Sequence, residues 1–207
     1  MVTFNVTMNV EDLQGKTVLV FLKPGNPQRN YIVHAWQVLT GSAGSTESFE
    51  YEPDVTTNVS SVGTDSNNSI ESAAVSIMPG ELFQAVSPSG LSPILDQAPT
   101  SLAEEKLTPY QCGIINKTNP FIQFDSNWFV NARPVVSMPY VDANMTVSFE
   151  FEPHFYFMVA APPMVGQTYI VQNFSDMTRY VMPITATEVD VSVTKEQGLW
   201  KFDFLAS

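Results

Sequence analysis

The stretch Val2-Thr-Phe-Asn-Val-Thr-Met-Asn-Val10 decides the fold class. Val2, Phe4, Val6, Met8 and Val10 recur at every second position, and Thr3, Asn5, Thr7 and Asn9 fill the places between. Successive side chains of a β-strand point to opposite faces, so this run predicts a strand with one face on a core and the other in water. Further β-rich runs follow at residues 17–22, 31–39, 47–51, 70–77, 82–86, 120–124, 128–131, 134–138, 145–151, 155–159, 168–174, 179–182, 188–194 and 200–204. Between them, Lys23-Pro-Gly-Asn-Pro27, Gly41-Ser-Ala-Gly44, Ser87-Pro-Ser-Gly90 and Glu196-Gln-Gly198 supply the residues that turns require. Short strands at this spacing predict an all-β protein, an antiparallel β-sandwich.

Helix is scarce. Ser101-Leu-Ala-Glu104 has the pattern of a capping box, in which the serine hydroxyl and the glutamate carboxylate each satisfy a backbone N–H at a helix start. Pro109 limits that helix to one or two turns. The surrounding stretch 92–109 lacks strand alternation. It reads either as a connector between two β-rich halves, about 1–91 and 110–207, or as a loop packed across one sandwich. The hexapeptide Ser48-Phe-Glu-Tyr-Glu-Pro53 recurs as Ser148-Phe-Glu-Phe-Glu-Pro153, and the two copies imply an internal duplication. The first copy is followed by extra residues within 54–78, which predict an inserted hairpin or a long loop. A chain of 207 residues with no evident linker fits a single sandwich domain over 1–207.

Lys and Arg number 9 against 21 Asp and Glu, a formal charge of −12, and the nine cations are scattered rather than gathered into a stripe. That excludes a phosphate-backbone partner, so no nucleic acid is expected. With 44% hydrophobic and 12% aromatic residues the chain can build a core, which excludes disorder. The N-terminal run has neither a basic start nor a continuous apolar stretch, so no signal peptide is expected. The most apolar run, 155–165, is interrupted by Pro162 and Pro163 and falls short of the roughly twenty residues a membrane span needs. No transmembrane segment is therefore expected. Cys112 stands alone, which precludes an intrachain disulfide, favours a reducing, cytoplasmic location, and fits a buried, inert thiol. Asn-x-Ser/Thr triplets at Asn5, Asn58, Asn67, Asn116, Asn144 and Asn173 are glycan acceptors only if the chain enters a secretory route, and two lie within expected strands.

Only His34 and His154 are present, so neighbouring residues cannot assemble a zinc motif. No nucleophile elbow, phosphate-binding loop or dinucleotide fingerprint occurs, and no organic cofactor is implied. Three groupings remain. In the repeated hexapeptide the aromatics share one strand face, while Glu50 and Glu52, like Glu150 and Glu152, share the other, roughly 7 Å apart at twice the per-residue rise. With His154 beside them, Glu150 and Glu152 are candidates for an acid/base pair or a cation site, against a plain solvated strand face. The Asp-x-Asn tripeptides at Asp65/Asn67, Asp125/Asn127 and Asp142/Asn144 place oxygens at alternate positions. Asp65, Asn67, Asp142 and Asn144 are accordingly candidate calcium ligands, the alternative being turns capped by their own side chains.

The third grouping is Asp125, Asn127, Trp128 and Asn131, an acid, two amides and an indole within one run. Carboxylates and amides bind sugar hydroxyls and an aromatic face covers the C–H side of a sugar ring. Trp128 equally suits the core of a sandwich. Phe155, Tyr156, Phe157 and Met158 read as a central strand covered on both faces, or as a surface for a partner.

Three functions follow. The first is a non-catalytic, lectin-like binding sandwich for a glycan or another small surface ligand, assisted by calcium. The second is a self-associating structural or interaction protein with a homo-oligomeric or other protein partner. The third is a carboxylate-based enzyme using the Glu-x-Glu strands.

Overall fold

The computed structural model describes residues 1–9, 11–13, 15–25, 31–62, 69–88, 92–119, 121–160 and 177–207. Strand β1 (Val2–Met8) shows the burial rhythm its sequence demands: Val2, Phe4, Val6 and Met8 are buried and the residues between them are partly exposed. The protein is an all-β sandwich with one short α-helix among the described residues. The chain divides into two compact units, one of Met1–Lys23, Val33–Pro53 and Pro153–Ser207, the other of Pro24–Ile32 and Asp54–Glu152. Each hexapeptide copy lies in a different unit, apart from Pro153, which begins the next segment of the first.

In the first unit β1 lies between β5 (Thr46–Tyr51) and β16 (Glu188–Glu196), and β17 (Leu199–Ala206) completes a sheet of order β17-β16-β1-β5. Its inner aromatics meet those of β4 (Ala35–Leu39) and β14 (Thr146–Ala160), which pair with β2 (Thr17–Gly25), and β15 (Thr178–Val181) pairs with β14. Phe4 stacks on Phe49 at 4.8 Å, and Trp36 meets Phe49 edge-on at 5.4 Å. Phe155 closes the cluster, 4.9 Å from Phe4 and 5.1 Å from Tyr51. Each such fully buried ring is worth about 1.5–3 kcal/mol. Trp36 is therefore a core residue, and β14 has buried side chains on both faces at Phe155, Tyr156 and Phe157, as a central strand requires.

In the second unit, β12 (Phe124–Val130) lies between β6 (Val55–Val62) and β13 (Arg133–Val141). β7 (Ser69–Glu71) and β8 (Val75–Ser76) both pair antiparallel along β6, so the described part of the extra residues after the first hexapeptide is strand. The facing sheet contains β10 (Ile94–Gln97), β9 (Leu82–Val86), β11 (Gln111–Asn116) and the start of β14. Phe149 of the second hexapeptide stacks on Trp128 at 5.4 Å, just as Phe49 of the first stacks on Phe4. Phe49, Tyr51 and Phe149 face a core because strand parity puts them there.

Four details differ from the sequence reading. The pairs β1/β16 and β9/β11 are parallel, not antiparallel. Parallel neighbours need a long crossover, and for β9/β11 that crossover is the stretch 92–109. It carries β10 and helix α1 (Thr100–Lys106), whose Ala103 packs with Leu107, Leu82 and Ile115. Within 92–109, β10 is thus the edge strand of that sheet and α1 packs on the sheet through Ala103 and Leu107. The helix does not use the expected capping box: its N-cap is Pro99, with no side-chain cap bond, and Ser101 lies inside it. The run at 120–124 contributes strand only from Phe124. The run 70–77 is broken into β7 and β8 around Ser72, whose Oγ accepts a hydrogen bond from Val59 N. The expected strand at 168–174 lies outside the described residues.

Candidate functional site

Strand β12 sorts the proposed sugar ligands onto two faces. Phe124, Ser126, Trp128 and Val130 point inward, while Asp125, Asn127 and Phe129 point outward. Trp128 is 0% exposed and its ring lies against Phe149 at an interplanar angle of 15°. Its indole face is inside the core and offers no platform to a ligand. Asn131 does not join the set either. Asn131 and Ala132 have φ of 49° and 59°, both positive, which is the signature of a type I′ hairpin turn between β12 and β13. Asn131 stands there because asparagine tolerates that backbone, and its N–H donates to Asp54 O at 3.1 Å.

What the structure does bring together is a polar lattice on the outer face of the β6-β12-β13 sheet. The register sets Asp125 opposite Ser60, and Asn127 opposite both Asn58 and Ser137. Asn127 Nδ2 donates to Asn58 Oδ1 and Ser60 Oγ, each at 3.0 Å, and Ser137 Oγ donates to Asn127 Oδ1 at 2.8 Å. These bonds orient Asn127 so that its neighbours, rather than Asn127 itself, retain hydrogen-bonding capacity. Among the described residues Asp125 Oδ2, the Ser60 hydroxyl proton and Asn58 Nδ2 have no partner.

An exposed ring stands beside this lattice. Between the pairs Phe124↔Val141 and Ser126↔Met138, β13 carries one residue more than β12, a β-bulge opposite Asp125. Tyr140 occupies the bulge with φ 59° and is 67% exposed. Its N–H donates to Asp125 Oδ1 at 3.0 Å, so one carboxylate oxygen fastens the bulge. A left-handed backbone is costly for a bulky non-glycine residue, and such outliers gather at functional sites. The only sequence signal for the bulge was Pro139, which cannot donate to a ladder.

Comparisons with protein-family models, with curated proteins and with solved structures find no match.

Asp142 and Asn144 share the turn between β13 and β14, where Met145 N donates to Asp142 O at 3.1 Å. Asp142 Oδ1 accepts Gln123 Nε2 at 2.6 Å and Asn144 Oδ1 accepts Lys117 Nζ at 2.8 Å, so each already has a protein partner. Asp125 and Asn127, the second Asp-x-Asn pair, lie within a strand rather than a loop. Asp65 and Asn67 lie outside the described residues. Among the described residues no group of three or more His, Cys, Asp or Glu side chains is placed to hold a metal ion.

Glu50 is exposed opposite Thr3, and Glu52 falls beyond the end of β5. Glu150 pairs with Gln111 in the second unit, the side chain of Glu152 is outside the described set, and His154 belongs to the first unit. There His154 Nε2 lies 3.1 Å from Arg179 Nη2. His34 is half-buried, and desolvation lowers its pKa. Cys112 is buried, and the same effect pushes its thiol up to about 12, which leaves it protonated and unreactive at neutral pH.

Proposed function

We propose that this protein is a non-catalytic, lectin-like β-sandwich that binds a carbohydrate on the outer face of the β6-β12-β13 sheet. One observation carries the reading: Tyr140, on a strained bulge fastened by Asp125, holds an exposed ring beside an ordered lattice of amide, hydroxyl and carboxylate groups. A sugar has an apolar C–H face and a rim of hydroxyls, and this arrangement offers a partner to each. Asn58 Nδ2 and the Ser60 hydroxyl would donate to ring or hydroxyl oxygens, and Asp125 Oδ2 would accept from a sugar hydroxyl. Because Asn127 is fixed by three hydrogen bonds, the lattice needs little reordering on binding, which limits the entropic cost.

The test is a glycan array probed with the intact protein, with and without calcium, beside Tyr140→Gly. The variant keeps the bulge, since glycine prefers that backbone, and removes only the ring. Binding by the wild type to a defined glycan class and its loss in Tyr140→Gly supports the reading. Equal binding by both proteins, or none by the wild type in either condition, refutes it.

A further inference from the structure

We infer that two copies of this chain associate by antiparallel pairing of β17 with β17 across a twofold axis at Phe202. β17 is the last strand of the sheet β17-β16-β1-β5, and among the described residues only β16 pairs with it. Its register against β16 runs unbroken from Val189↔Ala206 to Glu196↔Leu199. Edge strands are ordinarily blunted by proline, bulges, short length or charged side chains. This one, Leu199-Trp-Lys-Phe-Asp-Phe-Leu-Ala206, has no proline, bulge or shortening, and its two charges, Lys201 and Asp203, are of opposite sign.

The hydrogen-bond phase of the edge is fixed. Ser207 and Glu188 exchange both backbone bonds, at 3.0 and 3.2 Å, and antiparallel ladders alternate, so Leu199, Lys201, Asp203 and Leu205 aim their backbone groups at β16. Trp200, Phe202 and Phe204 therefore present theirs to the open edge. A second β17 centred on Phe202 would bond Trp200 to the partner's Phe204, and Phe202 to the partner's Phe202. In the closer, non-bonded positions Lys201 would meet the partner's Asp203, and Leu199 the partner's Leu205.

The side chains suit that register and no adjacent one. Leu199 and Leu205 are 75% and 69% exposed, unusual for leucines on a sheet face, and the register makes them cross-strand neighbours. Lys201 and Asp203 are both exposed and of opposite sign, and within one chain Lys201 Nζ lies 3.2 Å from Glu196 Oε1 and 3.4 Å from Asp203 Oδ1, exposed pairs that can exchange for the same pairing across the axis. Sliding the partner by two residues either way would set lysine against lysine or aspartate against aspartate. The strand is thus chemically palindromic about Phe202, as an isologous interface requires. The partner chemistry is a second copy of this same strand, and this surface is separate from the proposed sugar face.

The test is sedimentation velocity over a concentration series on the wild type, K201D, D203K, the double variant K201D/D203K and an equimolar mixture of the two single variants. Both side chains are exposed, and circular dichroism checks that each variant keeps the fold. We expect a wild-type dimer, and in each single variant a dissociation constant raised about tenfold or more, because like charges replace opposite ones at both symmetry-related pairs. The double variant and the mixture regain dimer, since both restore opposite charges across the axis. A wild type that sediments as a monomer throughout overturns the inference. So does a dimer that neither single variant weakens, or a mixture of single variants that fails to associate.

Discussion

Asn116→Ala should be among the most damaging single substitutions at a polar position of this protein. Asn116 is 1% exposed at the end of β11, and its amide ties together three segments of the second unit. Nδ2 donates to Ile122 O and to Val141 O, each at 2.9 Å, while Oδ1 accepts Thr118 N at 3.1 Å and Thr118 Oγ1 at 2.8 Å. After truncation the Thr118 hydroxyl can turn to Ile122 O, only 3.3 Å away, which leaves Thr118 N and Val141 O without the amide. Each buried group left unsatisfied costs about 1–3 kcal/mol, so a loss of about 3 kcal/mol is expected. For a chain of this size that corresponds to about 6–12 °C in Tm. Urea unfolding followed by tryptophan fluorescence measures it. The control is Lys117→Ala, which removes only an exposed bond to Asn144 and should change stability by less than about 0.5 kcal/mol. A loss for Asn116→Ala no larger than that of the control would refute the reasoning.

Other consequences are open to direct measurement. Gly113→Ala should destabilise by about 1–3 kcal/mol, because a Cβ there would lie 2.9 Å from Leu107 Cδ2 and 2.9 Å from Val147 O, a backbone atom that cannot swing away; chemical denaturation reads it. Trp128→Ala should cost about 3–5 kcal/mol in the same assay by emptying the core beside Phe149. Tyr140→Gly should hold or raise stability, by up to about 1 kcal/mol, because it relieves a positive φ; a clear loss in thermal unfolding would mean that the ring is structural. Burial pushes Cys112 from 9.0 to about 12 and Tyr51 from 10.0 to about 12. In the unfolded chain these groups ionise at the lower values while the native state keeps its protons, so stability should fall as pH rises from about 9 towards 12. Tyr51→Phe should flatten that decline above pH 10, as followed by unfolding free energy against pH.

The sandwich was legible because burial obeys a local rule. Alternation in Val2–Met8 and the repeated Phe-Glu-x-Glu strands assigned Phe4, Phe49 and Phe149 to cores before any pairing was known. The same rule, applied to Asp125-Ser-Asn-Trp128, separates the tryptophan from the two polar residues, and treating the run as one cluster overlooked it. The parallel neighbours of β1 and β11 leave no local trace, since pairing partner and direction arise from contacts far apart in sequence. Tyr140 was invisible for another reason: a positive φ is signalled by glycine or asparagine, and here a tyrosine is held in it by the Asp125 side chain across the bulge. Asn116 and Thr118, which read as a glycan acceptor triplet, hydrogen-bond to each other inside the fold.

The binding face is tested most directly by titrating the ¹⁵N-labelled protein with an oligosaccharide of the glycan class retained on the array and following backbone amide shifts. The account predicts saturable shifts confined to Asn58, Ser60, Asp125, Asn127 and the residues flanking Tyr140, with Trp128 Nε1 unmoved in its core. Shifts centred elsewhere while these amides stay fixed would contradict it.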